Sequence, residues 1–457
     1  MNCKKILAGI LSAAMVFTTM AIPAFADESE TKVAEINGTG YNTLTDAITA
    51  AKDNETVTLL SNVTESITVE KDKNIILDLN GKTLTNEADK HTIENYGTLT
   101  IKDSSNGIGI VDNVSHARGA LVNAEGATAV LNGGTFKRSQ EKGINPYNNG
   151  KNSWYTIQNL GDMTINKGVI VENSGYYSSN IAVGGKKCNP LSNLKITGGT
   201  LKGGVKTVKV DDYGNLEITG GTFTNEKYPC IMNWYKAVIT GGTFTSPSVS
   251  VENGCWKEEV SIGDLTITGG TFNGDISGTI NVNGTVYTGK SIAISGGTFS
   301  TAVKEEYCAA GYAPEYDETN KTYTVKEKEI TWIGTTDSGI YTLDGTKYGV
   351  MRFMFGTTDI KAEDVTSIGI KYIKSNAITE TIDSKTVEGS EFTDNAGGKN
   401  AVQGDIIKIS TDNDKTYYAA AFIEVGGKTY WSTPISCTLN TSKILEGYAP
   451  QTKGGNE

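Results

Sequence analysis

The sequence predicts an all-β chain: a solenoid of stacked coils, capped at both ends, followed by a β-sandwich. Three observations carry this. Gly-Gly-Thr followed by Phe or Leu recurs at Gly133, Gly198, Gly220, Gly241, Gly269 and Gly296, each time after a short apolar alternation. Strand patterning around one fixed turn, repeated at this period, is the signature of stacked supersecondary units. There are 53 glycines against 8 prolines, with many Thr, Asn and Ile, which favours turn-rich β structure over helix. After residue 326 the Gly-Gly-Thr repeat stops, and strand-like segments separated by turn chemistry replace it.

At the N-terminus, Lys4 and Lys5 precede an apolar run from Ile6 to Ile22, and Ala24-Phe25-Ala26 supplies a small-x-small cleavage pattern. Residues 1–26 are therefore expected to be a signal peptide cleaved after Ala26. The mature chain is expected to be secreted, extracellular or associated with a cell surface, without a membrane span. The polar residues 446–457 are expected to form a disordered tail. A net charge of -11 argues against nucleic-acid partners and against attraction to an anionic membrane. Arg118, Arg138 and Arg352 are the only arginines, so bidentate grips on phosphate or carboxylate cannot be widespread. Beyond the leader, Cys188, Cys230, Cys255, Cys308 and Cys437 are odd in number and not closely paired, which speaks against a disulfide framework and a zinc site. Cys230 and Cys255 could bridge neighbouring coils; otherwise the cysteines read as buried thiols.

Residues 27–326 read as the stack with its end caps. In the run Asp46 to Lys52, Leu44, Ala47, Ile48 and Ala51 share one helical face, and Thr43 or Thr45 can cap it. Such a helix would cover the open edge of the first coil. Indexed on the first Gly of Gly-Gly-Thr or its equivalent, the coils fall at Gly81, Asp103, Gly133, Lys167, Gly198, Gly220, Gly241, Gly269 and Gly296. Four before the index stand Leu77, Leu99, Ala129, Met163, Leu194, Leu216, Ala237, Leu265 and Ile292. Two before stand Leu79, Ile101, Leu131, Ile165, Ile196, Ile218, Ile239, Ile267 and Ile294. Three after stand Leu84, Asn106, Phe136, Ile170, Leu201, Phe223, Phe244, Phe272 and Phe299, with Asn106 the one polar exception in the three columns. Period-2 alternation around a turn, stacked like on like, places these side chains inside.

A third strand precedes these two. Thr92-Ile-Glu-Asn-Tyr96, Thr156-Ile-Gln-Asn-Leu160, Lys209-Val-Asp-Asp-Tyr213 and Cys230-Ile-Met-Asn-Trp234 align, so Ile93, Ile157, Val210 and Ile231 are expected inward. Asn95, Asn159, Asp212 and Asn233 are expected in one turn, bonded along the stack. Three strands per coil with an Asn-bearing turn is the layout of a right-handed parallel β-helix. Val303, Tyr307 and Ala310, with a hairpin through Tyr312 and Tyr323-Thr-Val325, are expected to form the C-terminal cap.

Residues 327–445 read as the sandwich, with strands expected at Ile330 to Ile333, Tyr348 to Phe355, Thr366 to Ile373, Asp405 to Ser410, Tyr417 to Val425 and Lys428 to Ser432. Gly426-Gly427 is a hairpin signal.

The pattern Ile-x-Asn-Tyr-Gly-x-Leu-x-Ile-x-Gly-Gly-Thr-Phe, with Tyr41-Asn-Thr-Leu-Thr-Asp-Ala-Ile-Thr-Ala-Ala51 before it, resembles the pectate-lyase-like superfamily over about residues 33 to 326. Within it the chain is similar to secreted bacterial adhesin-like β-helix proteins. Tyr417 to Trp431 resembles the last hairpin of fibronectin-type-III-like or immunoglobulin-like modules.

The superfamily contains polysaccharide lyases and hydrolases, so the resemblance implies signatures to look for. A lyase of this kind implies an acidic calcium cluster with a nearby arginine, and no stacked set of outward carboxylates accompanies Arg118 or Arg138. A hydrolase implies paired carboxylates followed by a histidine. Asp211-Asp212 is the suggestive doublet, yet both histidines, His91 and His116, precede it. His116 beside Arg118 could act as a base, without an identifiable nucleophile. Asp211, Asp212, His116 and Arg118 are thus the candidates for catalysis, and no cofactor or metal is expected. Tyr147, Trp154, Tyr155, Tyr176, Tyr177, Tyr235 and Trp256 fall in or beside insertions of the middle coils, where aromatics suit stacking on sugars or docking on a protein. The expected function is a non-enzymatic, adhesin-like binding protein for polysaccharide or a cell-surface protein, with a lyase or hydrolase and a structural stalk as alternatives.

Overall fold

A computed structural model describes residues 32–105, 108–140, 143–144, 154–176, 178–185, 190–257, 260–374, 401–412 and 416–449. The expected signal peptide, Asn106, Tyr147, Tyr177 and Cys188 lie outside them. The chain is all-β with long parallel sheets, compatible with a β-helix followed by a sandwich. Among the described residues the first part forms a 12-stranded and a 19-stranded sheet. Most coils give one strand to the former and two to the latter; in Thr243–Asn253 and Thr271–Ser277 those two run together as one, and the last coil gives the latter only Thr298–Phe299. One three-stranded coil runs through Val208–Val210, Gly214–Ile218 and Thr222–Thr224, and pairs in parallel with Ile231–Asn233, Lys236–Ile239 and Thr243–Asn253 of the next.

The Gly-Gly-Thr turn sets this stacking. A methyl on Gly241 would stand 2.4 Å from the Thr219 carbonyl oxygen one coil back, and Gly242 has φ +99, where side-chain-bearing residues are strained. One glycine lets the coils approach and the other lets the chain turn. Beneath them Phe223, Phe244, Phe272 and Phe299 stack with centroids 4.6, 4.8 and 5.0 Å apart and ring planes within 12°. These spacings match the separation of hydrogen-bonded strands.

The expected register holds at every Gly-Gly-Thr and slips where that triplet is missing. In the first coil Ile75 pairs with Leu99 and Leu77 with Ile101, so Leu77 and Leu79 were placed two residues late. In the second, Val111 and not Asn106 takes the inward place between Leu84 and Phe136. There the carboxylate of Asp103 holds a longer turn by accepting N–H bonds from Gly81, Ser105 and Gly109 at 2.9, 3.2 and 2.7 Å. In the fourth, Val171 replaces Ile170, one residue on.

The turn amides form ladders. Asn95 donates to Asn123 at 2.7 Å, Asn123 to Asn159 at 2.8 Å, and Asn233 to Asn253 at 2.7 Å, the partners in all three bonds being buried. Asp212 is not a rung. Val208 pairs with Ile231 and Val210 with Asn233, so the apolar Val183 and Val210 interrupt the ladder, and Asp211-Asp212-Tyr213 make a separate turn with Tyr213 at φ 59.

At the start of the stack a helix spans Leu44–Ala50; Thr43 accepts the Asp46 N–H, and Leu44, Ala47 and Ile48 join the core. At the other end a single 3-10 turn, Glu305–Tyr307, precedes the antiparallel hairpin of Tyr312–Asp317 and Thr322–Glu327, whose second strand pairs with Thr298–Phe299. Cys230 and Cys255 are free thiols, so the possible bridge between them is not formed.

Beyond the stack, Ile333–Leu343, Thr346–Gly356 and Ala401–Ile409 form one antiparallel sheet. Val365–Lys374, Thr416–Val425, Lys428–Trp431 and Ile435–Thr438 form another. Met351, Phe353, Ile370, Ala419 and Ala421 of the two sheets share one core. The first strand is an edge whose Gly334-Thr-Thr-Asp-Ser-Gly339 stretch carries little apolar signal, so the strand expected at Ile330 to Ile333 meets it only at Ile333, residues 330–332 being no strand, and Ile435–Thr438 lies outside every expected strand. Residues 446–449 of the expected tail include Tyr448, whose hydroxyl donates to Asp405 at 2.6 Å.

Because the phenylalanine stack is fully buried, Phe244→Ala should lower unfolding free energy by about 3–5 kcal/mol. Chemical denaturation monitored by circular dichroism checks this, and an unchanged midpoint would contradict the packing.

Candidate functional site

Departures from the minimal coil fall at two corners: the first lies between the strand that follows the glycine turn and the strand that carries the Asn ladder, as from Lys137 to Ile157, and the second follows the Asn ladder, as from Asn253 to Asp264. Outward residues of the strand that follows the glycine turn line up in register as Asp112, Lys137, Glu172, Lys202 and Thr224. Charges of alternating sign therefore sit on adjacent strands. Lys202 also reaches Glu226 at 3.4 Å.

Here a groove of about 400 Å³ opens, lined by Lys137, Arg138, Glu172, Tyr176, Lys202 and Glu226. Tyr176 forms one wall. The Lys227 ammonium lies 4.7 Å from its ring centroid, and Tyr228 meets it edge-on at 5.6 Å. Burial, then the neighbouring Glu226, raises the Tyr176 phenol above its ordinary value, so it is a hydrogen-bond donor at neutral pH. Arg138 is 1% exposed and brings a permanent positive charge beneath the groove. It donates to the Trp154 carbonyl.

Trp154 belongs to the support of this groove. Its ring packs on His91 with centroids 5.0 Å apart, and His91 Nδ1 accepts the Gly119 N–H at 2.9 Å. Burial first, and then the positive Arg118, lower the His91 pKa to about 4. Arg118 itself donates from Nε to the Asp89 carbonyl at 2.6 Å and to the Ala117 carbonyl at 2.8 Å. His116 is exposed.

A second cluster gathers Tyr155, Asp211, Asp212 and Trp256 around Lys209. Lys209 contacts Asp211 at 2.5 Å. Burial works against its ammonium, yet Tyr155, Asp211 and Asp212 outweigh it and leave the pKa above the usual lysine value. Asp212 is 1% exposed and accepts the indole N–H of Trp256 at 2.8 Å, across 44 residues of sequence. Trp256 sits on a loop that Ser261 Oγ braces by accepting its backbone N–H at 2.8 Å. The Asp211-Asp212 doublet is thus split between an ion pair and a loop anchor. Tyr235 stands apart, 5.8 Å from the ring of Tyr213.

Tyr155, Asp211, Asp212 and Trp256 are brought together, Tyr176 lies in the groove, and Trp154 is near Arg118. Lys137, Glu172, Lys202, Glu226 and Lys209 were missed. The outward column beside the inward Phe or Leu held the signal for three of them, since Lys137, Glu172 and Lys202 occupy it in consecutive coils. Among the described residues, no group of three or more His, Cys, Asp or Glu could hold a metal ion. No helix there is long and apolar enough to cross a membrane.

His91 offers a test of the support. Its folded-state pKa lies below the ordinary 6.5, so it favours folding above pH 6.5, and that contribution fades as pH falls toward about 4. The thermal midpoint of the native chain should drop across this window more than that of His91→Gln; parallel curves would refute the assignment. No protein-family model, no curated protein and no solved structure matches this chain.

Proposed function

We propose that this chain is a secreted or cell-surface binding protein, non-enzymatic, which presents the corner of a right-handed β-helix to a glycan or protein ligand. The reading rests on its likeness to adhesin-like proteins of the pectate-lyase-like superfamily. One observation carries it: the groove between Lys137, Glu172, Lys202, Glu226 and Tyr176, built where the coils depart from their repeat. An aromatic wall beside charges of both signs supplies stacking area and oriented hydrogen bonds. The stack beneath holds Lys137, Glu172, Lys202 and Tyr176 on strands, where little ordering is left to do on binding.

The convergence of Tyr155, Lys209, Asp211 and Asp212 favours a second reading, a polysaccharide lyase or hydrolase. Lysine and tyrosine can exchange protons with a substrate, and carboxylates can steer them. Against it, Asp211 is held by Lys209 and Asp212 by Trp256.

A glycan-binding screen of the mature chain, together with incubation on acidic and neutral polysaccharides, separates the two. Binding without chain cleavage is expected. Tyr176→Ala combined with Lys202→Ala should weaken binding by about 10- to 100-fold, the loss of one charge-assisted hydrogen bond or more. Unaltered affinity would remove the groove from consideration. Cleavage that disappears in Asp212→Asn would instead establish the enzyme.

A further inference from the structure

The last hairpin of the stack and the sandwich meet through a small set of contacts. Lys428, beside the Gly426-Gly427 turn, places its ammonium 2.5 and 2.6 Å from the two carboxylate oxygens of Glu327. Glu327 ends the final strand of the stack. Tyr430, two residues on, brings its hydroxyl against Gly311, where a methyl group would stand 3.0 Å from that oxygen. On the far side of the turn, a methyl on Gly426 would stand 3.1 Å from the Ala310 carbonyl. Burial and the adjacent Glu327 both raise the Tyr430 phenol, which stays protonated beside the carboxylate.

The connecting residues are also secured. Lys328 donates its N–H to the Gly311 carbonyl of the stack at 2.8 Å. Thr331 donates its N–H to Asp359 of the sandwich at 2.6 Å. Ile330 and Trp332 pack against the sandwich residues Ile360, Val365, Ile423 and Val425, as does Tyr430. Between Glu327 and Ile333 the chain therefore has no slack of the kind a flexible linker needs.

From this double attachment we infer that the end hairpin of the stack is an interaction surface for the chain's own sandwich, so that the two move as one rigid body with the Gly426-Gly427 turn as the docking element. A single exposed ion pair would be too weak to do this. Here it is joined by a close hydroxyl contact, a glycine seat and a connection anchored at both ends. The sandwich is then a fixed extension of the stack, and the groove keeps a constant orientation relative to the C-terminal half.

A zero-length carbodiimide cross-linker, which joins an amine to a carboxylate only in direct contact, tests this on the full chain. Mass spectrometry should find Glu327 joined to Lys428 with a yield comparable to Glu315–Lys326 and Glu217–Lys195, both paired at 2.8 Å within the stack. Lys428→Arg should lose that product alone. Small-angle scattering should fit one rigid shape, unchanged in Lys428→Arg. Absence of the Glu327–Lys428 product while both reference products form, or scattering that requires many relative orientations, would overturn the inference.

Discussion

Each coil of the stack has to bring its backbone to hydrogen-bonding distance of the coil before it, over three strands at once, and the turns decide whether it can. A β-carbon at Gly241 would collide with the Thr219 carbonyl, and the matching glycines of the neighbouring coils meet the same obstacle. Once the turn permits the approach, the rest follows. Like residues fall over like, the phenylalanines stack nearly parallel, and the Asn amides of successive coils reach one another. Coils without the triplet keep the spacing by other means, as Asp103 does with its carboxylate, at the cost of a longer turn and a shifted register.

The same constraint explains where the candidate site lies. At the glycine turn a longer connection needs added hydrogen bonds to keep the coils in contact, as at Asp103, whereas the two corners flanking the Asn-ladder strand take insertions readily, because the strands on either side are already held by their own neighbours. The groove lies where the chain leaves the strand after the glycine turn, and the Lys209 cluster at the next corner, where Asp211-Asp212 follow Val208–Val210 and the Trp256 loop follows Asn253. In-register stacking converts a column of sequence positions into a row of side chains one strand apart, so Lys137, Glu172 and Lys202 become neighbours despite being about thirty residues apart in sequence. Buried Arg138 and half-buried Trp154 tie the base of this row to the preceding coils around His91.

Reading the sequence succeeded for the inner columns and faltered for turns and partners. Phe223, Phe244 and Ile267 could be placed because alternation leaves a strand only two choices of face. Val111 and Val171 were missed because the length of a turn without Gly-Gly-Thr is not written in any local pattern. Asp212 was aligned with the Asn rungs by its neighbours, yet a shift of two residues puts Val210 on the rung and frees Asp212 to hold Trp256. Of the aromatic residues singled out, Trp154 turns inward to His91, while Tyr176 faces the groove. Nothing in their spacing distinguishes these outcomes, since both follow insertions.

By itself the sequence determined that the chain is all-β, which residues face the interior of the coils that carry Gly-Gly-Thr, and where the repeat gives way to a second β region. These are consequences of local periodicity and of glycines whose conformation few other residues can adopt. Only the tertiary structure decided which charges meet across coils, that Cys230 and Cys255 stay apart, and that Lys428 reaches Glu327. Such pairings depend on how many residues each turn consumes and on how two separately folded surfaces fit, and neither quantity has a signature within a strand.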